Sequence, residues 1–293
     1  MRNNSGYLLW REQKRAGYPQ SVEELLIPIC AAAELTESEY HELLRCCRKT
    51  NMVVYQIQQG DFTDKNLLRK FGERFGLEHL DDNLCADEDS ITSLQVVEDG
   101  RHQGYIPYSN RRLSWHTDGY YNTAEHQIHA VVLHCVSPAA EGGENVLLDH
   151  EIAYMHLRDI NPDYISALMH PQAMSIPPNV EGGEMIRGEQ AGPVFSINAT
   201  TGNLHMRYSA RKRNIAWRDD RLTQEAVACL EDFLQSDSPY ILRYRLQAGE
   251  GLLSNNVLHN RTGFTDSDEQ QRLLYRARYF DRIADTNVEL TAK

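Results

Sequence analysis

Ser114-Trp115-His116-Thr117-Asp118-Gly119 is the stretch on which the reading of this chain turns. Its partner lies far downstream, Asn255-Asn256-Val257-Leu258-His259-Asn260-Arg261. In an extended strand, residues i and i+2 project to one side, so His116 and Asp118 can reach one metal ion. A second strand delivering His259 completes two imidazoles and one carboxylate. That facial set, with positions left open, suits oxygen-activating non-haem Fe(II). A His-x-Asp triplet by itself carries little weight, because Asp118-Gly119 also suits a surface turn. The alternation of Leu274, Arg276, Arg278 and Phe280 further on adds weight, since it reads as a strand. A basic side chain on that strand could pin the far carboxylate of a dicarboxylate cosubstrate.

Composition sets the bounds. With 293 residues the chain can bury a full core, as one large domain or two small ones. Its net charge of −12 excludes a general nucleic-acid or anionic-membrane binder, which needs a basic face, but leaves room for a local basic pocket. Cys30, Cys46, Cys47, Cys85, Cys135 and Cys229 form no Cys-x-x-Cys pair, which argues for reduced thiols over a zinc knuckle or disulfide framework. The amino terminus lacks the apolar core of a signal peptide, and no apolar run approaches the ~20 residues that span a bilayer. The expected protein is soluble and cytoplasmic, with no nucleic-acid or membrane partner. Homo-oligomerisation stays open.

Residues 7–50 read as helical, with Ser21 and Glu24 placed as a capping box over Val22 to Ile27 and a second helix after Thr36. Met52 to Ile57 reads as a strand, and residues 63–75 as an amphipathic helix closed by Gly76. Many short strands punctuated by glycine turns follow, including Gln127 to Val136, Asn145 to Leu148, Tyr240 to Leu246 and Leu273 to Arg282. Residues 150–169 read as two helices split at Asn161-Pro162, and residues 223–235 as another. This pattern favours a mainly β sandwich or barrel with helical decoration.

The chain resembles the taurine/2-oxoglutarate dioxygenase-like family of Fe(II)- and 2-oxoglutarate-dependent oxygenases. The resemblance runs from about Met52 to Arg282. It is carried by Trp115-His116-Thr117-Asp118-Gly119, Gly142-Gly143-Glu144-Asn145, the Asn256 to Phe264 stretch and Arg272-Leu273-Leu274-Tyr275-Arg276. Within the family, the sequence around His259 is most similar to the γ-butyrobetaine hydroxylase and glutarate hydroxylase branches. The resemblance implies a double-stranded β-helix (jelly-roll) core. With no internal repeat or interdomain linker in the sequence, the chain reads as a single oxygenase domain over residues 1–293, with residues 1–50 as a helical N-terminal elaboration. The resemblance makes His116, Asp118 and His259 the iron ligands, and Arg272 the partner of the distal carboxylate of 2-oxoglutarate. Asn145 stands where family members usually carry a Thr or Ser that also contacts the cosubstrate, a departure that keeps a hydrogen-bond donor for the same role. Arg276 matches a position that binds a substrate anion in the taurine branch.

The implied reaction consumes 2-oxoglutarate and O2, releases succinate and CO2, and hydroxylates an unactivated C–H bond of a small polar substrate, such as an amino acid, betaine, carboxylate or sulfonate. The carboxylate ligand at Asp118 argues against halogenation. Tyr105, Tyr108, Tyr120, Tyr121 and Tyr208 could cage a trimethylammonium group, or serve as core aromatics. Arg207 and Arg213 could bind a substrate anion, or pair with surface acids. His126, His129 and His134 crowd one segment without forming a tetrahedral set. Two further readings stand beside the first: an oxygenase of a protein- or carrier-tethered residue, and a non-catalytic metal-binding jelly roll.

Overall fold

The computed structural model describes residues 4–31, 33–60, 62–82, 89–97, 106–182, 184–211 and 213–287. Its framework strands, in chain order, are β1 (Leu26–Ala31), β2 (Met52–Gln59), β3 (Thr92–Leu94), β4 (Leu113–His116), β5 (Ala130–Ser137), β6 (Asn145–Leu148), β7 (Leu242–Tyr244), β8 (Glu250–Ser254), β9 (Leu258–Arg261) and β10 (Leu273–Tyr279). They form a six-stranded sheet in the order β1-β2-β8-β5-β10-β3 and a four-stranded sheet in the order β7-β6-β9-β4. The helices are α1 (Asn4–Arg15), α2 (Glu37–Thr50), α3 (Lys65–Glu73), α4 (His150–Ile160), α5 (Pro162–Leu168) and α6 (Arg221–Gln235).

Period-two side-chain alternation places the two sheets face to face. On β5, Val131 and Leu133 line an internal pocket, while Val132 joins the core under α2 and α3. On β6, Asn145 and Leu147 line the same pocket from the other side, while Val146 and Leu148 pack against α4 and α6. The layers therefore run α2 and α3, large sheet, pocket, small sheet, then α4 to α6.

Residues 7–50 are not wholly helical. Thr36 and Glu39 cap α2 in the reciprocal manner of a capping box, but the expected helix at Val22 to Ile27 is a single 3-10 turn, Val22–Leu25, leading into β1. Ser21 makes no side-chain cap, and Glu24 instead accepts the backbone N–H of Gln20 at 3.0 Å. β1 pairs parallel to β2, so α2 is the crossover that a parallel pair requires. The N-terminal segment thus extends the large sheet as well as covering it. The helices at 150–169 break at Asn161, whose side chain caps Asp163 with Pro162 at the first helical position.

Candidate metal centre

β9 lies antiparallel to β4, with His259 directly opposite His116. The register then slips, because Arg261 pairs with Leu113 and β4 carries one extra residue, a β-bulge. The bulge lets Leu113 and His116 both face the pocket. Between them Trp115 turns the other way, and its indole N–H donates to the Leu234 carbonyl at 3.1 Å. Asp118 lies just beyond the strand. Its backbone is held by Asn256, whose side chain accepts the Asp118 N–H at 2.8 Å and donates to the carbonyls of Asp118 at 2.9 Å and Ile128 at 2.7 Å. Asn256 has φ +49°, a left-handed conformation that asparagine tolerates better than most residues. Gly119 follows at φ +66°, where an added Cβ would lie 2.3 Å from Ile128 Cγ1.

The donor atoms of His116, Asp118 and His259 all lie within 4.8 Å of one another. The two imidazole rings stand 4.2 Å apart between centroids. Each Nδ1 sits 2.9 Å from the carbonyl two residues earlier, Ser114 for His116 and Val257 for His259. A carbonyl only accepts, so each Nδ1 carries the proton and each Nε2 keeps its lone pair for an ion. Burial, and then the neighbouring His259, pushes His116 down to about 3, which keeps it a neutral ligand. Burial alone would raise the Asp118 carboxyl, but Arg276 foremost, then Arg278 and the two histidines, hold it well below the usual carboxylate range. Arg276 Nη1 reaches Asp118 Oδ1 at 3.2 Å, and Oδ2 is buried without a hydrogen-bond partner. Two neutral nitrogens and one unpartnered anionic oxygen are a donor set that fits Fe(II).

The other end of the pocket is basic. Arg272 is 4% exposed, and its Nη1 is buried with no hydrogen-bond partner. Burial brings its guanidinium down to about 10. Its Cζ lies 5.0 Å from the Phe264 ring centroid, and Arg261 covers the same ring at 4.8 Å. Asn145 lines this pocket with Arg272 and the metal triad. A buried guanidinium nitrogen without a partner is costly, and an anionic group entering this end of the pocket would offer the acceptor it lacks.

The sequence profile described as "Taurine catabolism dioxygenase TauD, TfdA family" matches residues 33–278. The chain belongs to the TauD/TfdA family. Two uridine-5'-phosphate dioxygenases are similar in sequence. That of Amycolatopsis sp is 29% identical over 192 residues, covering 64% of this chain and 67% of its own. That of Streptomyces sp is 28% identical over 199 residues, covering 66% and 71%. Among solved structures, the non-heme iron oxygenase OrfP in complex with Fe and alpha-ketoglutaric acid matches with a TM-score of 0.63 at 16% identity, over 93% of this chain and 84% of that one. An asparagine oxygenase in complex with Fe(II), 2S,3S-3-hydroxyasparagine and succinate matches with a TM-score of 0.56 at 15% identity, over 95% and 92%. These two likenesses show the shared, mostly β fold. As a TauD/TfdA member, the protein is an Fe(II)- and 2-oxoglutarate-dependent dioxygenase.

In this TauD/TfdA protein the other expected residues divide. The Tyr120 ring stands edge-on to His116 at 6.4 Å and packs against Tyr121 at 5.2 Å, so Tyr120 flanks the triad with Tyr121 packed against it. Arg207 does not offer a free guanidinium: it donates to the carbonyls of Tyr120 at 2.7 Å, Met174 at 3.0 Å and Gln190 at 2.8 Å. Arg213 is exposed, and Tyr105 lies outside the described residues. Tyr208 is fully buried in the helix-side core, away from any cage. Arg278, in sequence one of the basic side chains of the last strand, donates to the Tyr121 hydroxyl at 2.9 Å and pairs with Asp81. Among the described residues the histidines at 126, 129 and 134 form no second metal cluster. No described helix is long and apolar enough to cross a membrane.

Proposed function

We propose that this dioxygenase holds Fe(II) on His116, Asp118 and His259 and hydroxylates an unactivated C–H bond of a small polar molecule. The observation that carries the reading is the convergence of three donor atoms within 4.8 Å, with Asp118 Oδ2 buried and unpartnered. Arg272 and Asn145 would bind the distal carboxylate of 2-oxoglutarate. With Fe(II) bound, metal and cosubstrate supply the oxidation, using O2 and releasing succinate and CO2. The protein's part is to orient and to exclude water. Arg276 keeps Asp118 ionised, the Nδ1 protons fix both imidazoles, and the apolar walls from Leu113, Leu133, Leu147 and Leu252 keep the pocket dry. The facing six- and four-stranded sheets support the double-stranded β-helix reading, and the threading of β1 into the large sheet supports one working domain over residues 1–293.

The substrate class we favour is an amino acid, betaine, carboxylate or sulfonate. The similarity to two uridine-5'-phosphate dioxygenases supports a second reading, a nucleoside monophosphate. A tethered residue is the remaining enzymatic alternative. A non-catalytic metal-binding jelly roll is disfavoured by the desolvated Arg272, which a purely structural site has no use for. The five described cysteines are free thiols, in keeping with cytoplasmic action.

The test is an anaerobic titration of the Fe(II)-loaded protein with 2-oxoglutarate, following the visible charge-transfer band of the chelate. The band is expected in the wild type and absent in His259→Ala. Metal binding with no band would overturn the assignment. Succinate release with free against carrier-bound substrates then separates the substrate classes.

A further inference from the structure

We propose that the Tyr120–Tyr121 pair beside the triad forms the substrate's anion site, with Arg211 and Arg187 receiving a carboxylate or phosphate oxyanion. The inference deepens the functional reading above and rests on it.

The segment from Arg207 to Arg211 runs along the edge of β4 that β9 does not occupy. Ser209 stands opposite His116 in an antiparallel bridge. Thr117 donates to the Tyr208 carbonyl at 3.0 Å, and Ala210 donates to the Trp115 carbonyl at 2.9 Å. Residues opposite one another on adjacent strands share a face. Tyr208 goes with Trp115 into the helix-side core, so Arg207, Ser209 and Arg211 lie on the face of His116. The register therefore brings two arginines to the metal side of the sheet.

These arginines differ in what they already hold. Arg207 is spent on three backbone carbonyls. Among the described residues, the guanidinium of Arg211 has a single contact, a long 3.5 Å approach to the Tyr120 hydroxyl. Arg187 arrives from the hairpin of Asn179–Glu181 and Glu184–Arg187, with its Cζ 6.0 Å from the Tyr121 ring centroid. Its Nη2 donates to the Pro177 carbonyl at 3.1 Å, and its Nη1 is buried without a partner. No described carboxylate forms an ion pair with Arg187, Arg207 or Arg211, although the chain carries a net charge of −12. Arg276 and Arg278, by contrast, are matched with Asp118 and Asp81. Burial and then the nearby Arg187 charge bring Arg207 down to about 10, so the two cations are close enough to repel. An oxyanion offers the acceptors that the guanidinium groups of Arg187 and Arg211 lack, and its negative charge offsets the repulsion between Arg187 and Arg207.

The test uses the Fe(II)-loaded protein saturated with 2-oxoglutarate, so that Arg272 is occupied. Inorganic phosphate is titrated calorimetrically at constant ionic strength. Saturable binding is expected, weakened about tenfold or more in Arg211→Gln and in Arg187→Gln, with the 2-oxoglutarate chelate band unchanged in both. Failure of phosphate to bind, or binding in either variant as tight as in wild type, overturns the proposal while leaving the cofactor assignment intact. Loss of the chelate band in wild type would sink the functional reading instead. Competition by uridine 5'-monophosphate against γ-butyrobetaine then tells whether the natural oxyanion is a phosphate or a carboxylate.

Discussion

Asn256 holds the backbone of Asp118 from both sides, accepting its N–H at 2.8 Å and donating to its carbonyl at 2.9 Å. The third bond, to the Ile128 carbonyl, ties the same side chain to the segment entering β5. A residue with no side-chain contact to the donor cluster thereby fixes the angle at which its only carboxylate is presented.

Asn256→Ala removes all three bonds and leaves buried backbone groups unsatisfied, at a cost of roughly 1–3 kcal/mol. Outer-shell losses of this kind lower metal affinity roughly 10- to 100-fold. The expected outcome is a lower Tm together with weaker Fe(II) binding by equilibrium dialysis. Unchanged iron affinity would show that Asp118 is held by other means.

Gly119→Ala tests the same corner from the other side. Its φ of +66° costs an L residue roughly 1–2 kcal/mol, and the new methyl would meet Ile128 Cγ1 at 2.3 Å. Relief of that clash displaces either Ile128 or Asp118. We expect a lower Tm and a smaller chelate band at fixed iron, read in one sample by melting and visible absorbance.

Arg272→Leu has opposite expected effects on binding and stability. Loss of a charge-assisted pair worth roughly 1.5–3 kcal/mol should raise the KM for 2-oxoglutarate about 10- to 100-fold. The cosubstrate-free protein, relieved of a buried guanidinium with an unpartnered Nη1, should melt no lower than wild type. A large drop in Tm would mean that Arg272 holds the fold rather than the ligand.

Acidification should destabilise the metal-free protein. Burial holds His129, His150 and His205 below the ordinary histidine value. Unfolded, each titrates near 6.5. As pH falls below that value the unfolded chain takes up protons that the native state refuses, so stability falls. His116 and His156 are lowered in the same way, and exposed His79, raised by its hydrogen bond to Asp281, acts in the opposite sense but stands alone against the five. The Tm should fall between pH 7.5 and 5.5, and a flat or rising profile would contradict this.

The parts of the site legible in sequence were those written locally. His116 and Asp118 sit two residues apart, the strand carrying His259 opens with the apolar pair Val257-Leu258, and Thr36 with Glu39 marks the start of α2. β1 is hidden from a local reading because Ser21 and the two glutamates that follow it, ahead of the short apolar run Leu26 to Ala31, form a pattern that a helix start shares. Its parallel pairing with β2 is settled by packing, not by local preference. The bulge in β4 leaves no compositional trace, yet it sets which residues face the pocket. For Arg207 the sequence leaves a substrate anion and surface acids open as partners, and only the folded chain shows three carbonyls converging on it. Asn256 lay within the quoted motif, but its clamp spans 138 positions of sequence.

Trp115 and His116 are neighbours in sequence that answer to different layers of the molecule. One is moored to the last turn of α6 through the Leu234 carbonyl, and the other faces the pocket. A helix with no residue in the pocket therefore acts as its ruler. Inheritance should show this as uneven tolerance: the loop after Gln235 can gain or lose residues, whereas a one-residue insertion within Arg221–Gln235 would shift the mooring and move the imidazole with it.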